Sequence, residues 1–159
     1  MAAKDTPSMA KNKIKRSLTA IIDPHPTSKQ VDELWEYFNA SCAYCGISIT
    51  RDTRTGHVDH VVSSALGGSN CIHNHVLSCA RCNGDEKREE SWESFLAKKA
   101  TDPTLQATRH AHISAWLARS SSDRITLDTR TRANLIINRA LADFESAVRE
   151  IRDLRKSGT

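Results

Sequence analysis

The chain has 159 residues, 38% of them hydrophobic, and 23 Lys and Arg face 19 Asp and Glu for a formal charge of +4. That length suits one domain with a modest core. No stretch approaches the roughly 20 apolar residues of a membrane span, and the N-terminus has no apolar run of a secretory signal. These absences set aside a membrane protein and a secreted disulfide scaffold, and a cytoplasmic location is expected. The mild basicity is compatible with a polyanion partner without requiring one.

Residues 1–26 read as a basic flexible arm: Lys4, Lys11, Lys13, Lys15 and Arg16 stand against Asp5 and Asp23, with little apolar periodicity. Such an arm could add phosphate contacts. Thr27 or Ser28 can cap a helix to about Asn39, in which Val31, Leu34, Trp35 and Phe38 form one apolar stripe. Cys42 to Thr50 reads as a knuckle and a short strand through Ile47 and Ile49, followed by a charged loop from Arg51 to Gly56. Val58 to Val62 is a strand by its β-branched residues, and His75 to Ser78 is a second. Between them, Gly67-Gly68 marks a loop.

A helix is expected from Cys79 or Ala80 into Glu86–Glu90, continuing or restarting through Trp92 to Lys99. Asp102-Pro103 breaks the chain, and helices follow from about Leu105 to Arg119 and from Asp128 to Lys156, joined by a linker at Ser120 to Ser122. In the last helix Ile137, Leu141, Phe144, Val148 and Ile151 step by 4, 3, 4, 3. This short heptad seam either folds back on the domain or joins two copies in a homodimer. The expected organisation is the arm 1–26, a core at 27–100 and a helical extension at 101–159, in an α+β chain that is mostly helical.

Four of the 5 cysteines fall in two pairs, Cys42-Ala-Tyr-Cys45 and Cys79-Ala-Arg-Cys82. In a reducing compartment such pairs indicate metal more often than a disulfide, and four thiolates suit a closed tetrahedral zinc site with a structural role. Cys71 is left over as a small buried or idle residue, and His73 and His75 are spare soft ligands. The segment between the pairs carries Asp59 and His60, and Asn83 follows the second pair directly. A histidine of near-neutral pKa is a natural general base, and a carboxylate with an amide oxygen makes hard ligands for Mg²⁺ or Mn²⁺. Strand alternation would point Asp59 and His60 to opposite faces, so one shared site needs a bulge or the adjoining loop.

Cys42-Ala-Tyr-Cys45-Gly46, Val58-Asp-His-Val-Val62, Gly67-Gly-Ser-Asn70, Asn74-His-Val-Leu-Ser-Cys79 and Cys82-Asn83 with Lys87 together resemble the HNH, or ββα-metal, nuclease family over about residues 41–90. The resemblance implies two antiparallel strands and a helix around one catalytic metal ion. It makes His60 the general base and Asp59 and Asn83 the ligands of Mg²⁺ or Mn²⁺. It gives Asn74 the task of orienting the base and steadying the loop, with the base drawn from the strand end. It assigns Cys42, Cys45, Cys79 and Cys82 to structural Zn²⁺. Lys87 stands where some members have a further histidine. The implied activity is hydrolysis of DNA, most simply double-stranded, leaving 5′-phosphate and 3′-hydroxyl ends. Arg51, Arg54, Arg81 and Lys87 are candidate phosphate contacts. The competing reading is a non-catalytic zinc module that binds nucleic acid or protein, which would have no use for Asp59, His60, Asn74 and Asn83 together.

Overall fold

Each long helix begins at a side chain that accepts from the helix's own unpaired amides, the usual remedy for a helix start. Thr6 does so for α1 (Pro7–Ile22). Thr27 forms a reciprocal capping box with Gln30 at α2 (Ser28–Tyr37). Ser91 caps α3 (Trp92–Lys99), Asp102 caps α4 (Pro103–Leu117) and Thr126 caps α5 (Leu127–Ser157). Asp102-Pro103 therefore both ends one segment and starts the next: proline at the first helical position has no amide to leave unpaired. The computed structural model describes residues 5–53, 55–88, 90–119 and 125–158. The expected linker at Ser120 to Ser122 lies outside the described residues, as does Arg54.

The chain divides into two compact units, residues 1–24 with 125–159, and residues 25–124. In the first, α1 and α5 pack along one another. An exposed ion pair joins Lys11 to Glu145. This corrects the expected flexible arm: Pro7–Ile22 is a regular helix whose half-buried Ala10, Ile14 and Leu18 lie one turn apart. Of the heptad positions in α5, Ile137 and Leu141 are buried, Phe144 and Val148 are half-buried, and Ile151 is exposed.

The second unit is built on a two-stranded antiparallel sheet, β1 (Gly56–His60) with β2 (His75–Cys79). The register sets Gly56 opposite Cys79, Asp59 opposite Val76 and His60 opposite His75. The first strand thus lies two residues earlier than its sequence suggests, and His60 is its last residue. The connection carries 3₁₀ turns at Ser64–Leu66 and Ile72–Asn74. After β2 the chain enters a π-helical segment, Arg81–Lys87, in place of the expected α-helix. Such wide turns are rare and frequent at functional sites. No strand forms through Ile47 and Ile49; the knuckle makes only an isolated bridge, Ser41 to Ser48, with Ile47 exposed and Ile49 buried.

Leu34 of α2 and Phe38 at its C-terminal cap, Tyr44, Val76 and Leu77 of β2, Phe95 and Leu96 of α3, and Ile113 and Trp116 of α4 form one core. Every residue of β2 from His75 to Ser78 is buried, so the sheet is covered on both faces. Trp116 Nε1 donates to the His75 carbonyl at 2.8 Å, which ties α4 to the sheet. A side chain at Gly56 would begin 2.5 Å from the Trp35 ring, so only glycine lets β1 approach α2 this closely.

Candidate metal centre and catalytic site

The two Cys pairs converge. The Cys42, Cys45, Cys79 and Cys82 sulfurs all lie within 4.8 Å of one another, and Cys45 Sγ is 3.8 Å from Cys79 Sγ. A tetrahedral thiolate cage with zinc–sulfur bonds of ~2.3 Å has edges of about 3.8 Å, whereas a disulfide would need ~2.0 Å. The spacing is that of ligands around an ion. The fold makes it by hairpin geometry: Gly46 takes a left-handed φ of 76° and donates to the Cys42 carbonyl at 2.8 Å, closing the first knuckle. The Cys82 amide reaches back to Cys79 Sγ at 3.5 Å in the second.

Electrostatics make the same point. Burial pushes the Cys42 thiol up, but hydrogen bonds from the backbone of Cys45, Cys79 and Tyr44 bring it below its ordinary value. Cys45 and Cys82 are pushed up by burial and by the charge of Cys42. The cluster therefore favours the thiolate at Cys42 and resists charge at Cys45 and Cys82, and a coordinated metal ion would reverse that resistance. Cys71 takes no part. Its carbonyl accepts from His75 Nδ1 at 2.9 Å.

His60 stands at the open end of β1, where the connection to β2 begins. Its Nε2 lies 3.1 Å from Asn70 Oδ1. An amide oxygen only accepts, so Nε2 carries the proton and Nδ1 keeps the lone pair. Beside it, the His75 ring is 4.0 Å away, centre to centre. Burial first, and the repulsion His75 would feel if both rings were protonated, lower the His75 pKa to about 4, so His75 is neutral at physiological pH. Asn74 steadies the connecting loop. Its Nδ2 donates to the carbonyls of Val62 at 2.9 Å and Ser69 at 2.8 Å, and its Oδ1 accepts from the Val62 amide at 3.1 Å. Gly68 permits that fold, since a Cβ there would meet the Val62 carbonyl oxygen at 1.8 Å. Asn74 makes no direct bond to His60; Asn70 holds the ring.

Asp59 is buried. Its Oδ2 accepts from the Tyr44 hydroxyl at 3.0 Å and pairs with Lys87 Nζ at 3.1 Å. Burial and the Asp59 charge push the Tyr44 pKa well up, so its hydroxyl remains a donor. Lys87 also donates to the His60 carbonyl at 2.7 Å, and its side chain is 4% exposed. That burial overturns its expected role as a phosphate contact: its ammonium is spent on Asp59 and the end of β1. Replacing Lys87 by methionine would leave the Asp59 carboxylate buried and uncompensated, a loss of about 3–5 kcal/mol. Denaturant unfolding of Lys87→Met beside Arg81→Met checks this: a large loss is expected in the first only, and equal small losses would contradict the pairing.

Asn83, in the π-helical segment, donates from Nδ2 to His57 Nδ1 at 3.2 Å. His57 lies two residues before Asp59 on β1, and nothing in the sequence singles it out. Arg51 pairs with Asp32 and lies over the Trp35 ring. Arg81 pairs with Glu86 at 2.7 Å and is 79% exposed. Exposed pairs of this kind contribute little, so a phosphate could take over either guanidinium. Tyr44 and Asn70 stand inside the motifs that carry the resemblance without a role assigned to them, and His57 has no such signal; their contacts come only from what the fold sets beside them.

Residues 42–95 match the family model described as HNH endonuclease. The chain is 27% identical over 139 residues to the "SPbeta prophage-derived putative HNH endonuclease YoqL" of Bacillus subtilis (strain 168), a match covering 77% of this chain and 56% of the relative. The chain thus spans little more than half the length of that relative.

Proposed function

We propose, from the HNH endonuclease domain carried at residues 42–95, that this chain hydrolyses phosphodiester bonds in DNA with the help of a divalent ion. The observation that carries the reading is His60 at the end of β1, with its proton held at Nε2 by Asn70 and its Nδ1 lone pair left to act as a base. Nδ1 takes a proton from water, the resulting hydroxide attacks phosphorus, and the bond to the 3′-oxygen breaks as that oxygen takes a proton from solvent water. The products are a 5′-phosphate and a 3′-hydroxyl. Positioned base catalysis of this kind contributes about 10²–10⁴-fold.

Asp59 and Asn83 fit a hard cation in their chemistry. The contacts of Asp59 engage Oδ2, and those of Asn83 engage Nδ2, so each has its Oδ1 to offer. Mg²⁺ or Mn²⁺ bound there would supply a Lewis acid for the phosphate and the leaving oxygen. Asn74 keeps the loop beside the base in place. Zn²⁺ in the four-cysteine cage holds the knuckles, and with them Asn83. Arg51 and Arg81 would grip flanking phosphates.

End analysis tests the reading. Labelled duplex DNA incubated with the protein and Mg²⁺ or Mn²⁺ should yield fragments that a ligase can rejoin and that carry 5′-phosphate. Fragments with 3′-phosphate, or cleavage that persists in EDTA, would contradict it.

A further inference from the structure

The basic charge is not where the chemistry is. Residues 1–24 and 125–159 hold 12 Lys and Arg against 7 Asp and Glu, a net +5, while residues 25–124 hold 11 against 12, a net −1; together they make the +4 of the chain. The unit that bears His60 thus has no excess positive charge of its own. Of its 11 Lys and Arg, five pair with an acid: Arg51 with Asp32, Arg81 with Glu86, Lys87 with Asp59, Lys98 with Glu90 and Lys99 with Glu86, while Lys29 and Arg88 are exposed. A polyanion approaching that unit alone would gain little from electrostatics.

The α1–α5 unit is different. On α1, Lys13, Lys15 and Arg16 are exposed, stand within about one turn of each other, and have no acidic partner among the described residues. The side of α1 carrying Ala10, Ile14 and Leu18 is the less exposed one; Arg16 lies opposite it, and Lys13 and Lys15 flank it on either side, all three exposed. On α5, Arg139 and Arg152 are exposed as well. A rigid helix presenting unpaired cations is suited to a row of phosphates, because the cations are held in place without a carboxylate to displace.

We propose that the α1–α5 unit is the nucleic-acid anchor of this protein, with Lys13, Lys15 and Arg16 contacting the backbone of double-stranded DNA without reading sequence. The identity of the polyanion as DNA rests on the nuclease reading; the charge distribution does not. The anchor supplies affinity and the His60 unit supplies cleavage, so the two separate experimentally.

The test is fluorescence anisotropy of the full, zinc-loaded chain with a labelled duplex in buffer without added Mg²⁺ or Mn²⁺, where the duplex is checked to stay intact, over a series of salt concentrations. The variants are Lys13→Glu/Lys15→Glu/Arg16→Glu, the same positions changed to Gln, and His60→Ala, each checked for folding by circular dichroism. The Glu variant should bind at least about tenfold more weakly. The Gln variant should flatten the dependence of log K on log salt by about 0.9 for each phosphate that is no longer neutralised. His60→Ala should bind as wild type. Unchanged affinity and salt slope in both charge variants would overturn the anchor. So would loss of binding to anionic phosphatidylserine vesicles with DNA binding intact, which would make the surface a membrane contact. Failure of the nuclease reading looks different: no cleavage at any DNA concentration, with the salt-dependent binding unaffected.

Discussion

Cys79→Ser is expected to give a protein that loses its bound metal and most of the structure around β1 and β2. Serine cannot replace a thiolate in a tetrahedral sulfur site, and the other three sulfurs gather only because the knuckles face one another. Cys79 occupies a doubly connected place: it ends β2 opposite Gly56 and begins the turn into the π-helical segment that bears Asn83 and Lys87. Metal affinity in such sites is folding free energy, with apparent values of about 10–16 kcal/mol in small zinc peptides. The hydrophobic core here is larger than in those peptides, so part of the unit should persist while the hairpin end melts. Metal content by mass spectrometry and thermal unfolding should fall together. Loss of metal with an unchanged melting temperature would refute a structural role for the cluster.

His60→Ala is expected to lower cleavage by about 10²–10⁴-fold while fold and metal content stay as they were. The side chain contacts Asn70 and the His75 ring at the open end of β1, and neither contact belongs to the hydrophobic core. Its loss leaves Asn74 in place, because that amide is held by Val62 and Ser69. The measurement is initial rate under single-turnover conditions beside a circular dichroism spectrum. A fall in rate accompanied by unfolding would speak for a structural histidine instead of a base.

Local chemistry made much of this fold legible. Thr27, one of the two caps its segment offers, starts α2, while Asp102-Pro103, which reads as a break before a helix from about Leu105, is itself the start of α4. The Cys pairs were legible for the same reason, since each knuckle is a short loop that carries its own ligands. What escaped the sequence depends on distant partners. The helix Pro7–Ile22 presents only a weak apolar stripe amid lysines, and it packs along a helix that begins more than a hundred residues later. Lys87 reads as a phosphate contact because its sequence neighbours give no sign of a buried partner. The π-helical turn instead brings it back across the sheet to Asp59, about thirty residues earlier in the chain. Asp59 and His60 share a strand end yet face different partners: Tyr44 and Lys87 on one side, Asn70 and His75 on the other. The alternation rule anticipated that separation.

The most direct test of the central claim is cleavage of supercoiled plasmid by the metal-loaded, folded chain with Mg²⁺, with Mn²⁺ and with EDTA, wild type beside His60→Ala. Nicking or linearisation that needs the divalent ion and is lost in the variant is the result expected of an HNH-type nuclease whose base is His60. Equal cleavage by both proteins would contradict that assignment, and intact plasmid under every condition would leave the four-cysteine fold as a binding module without this chemistry.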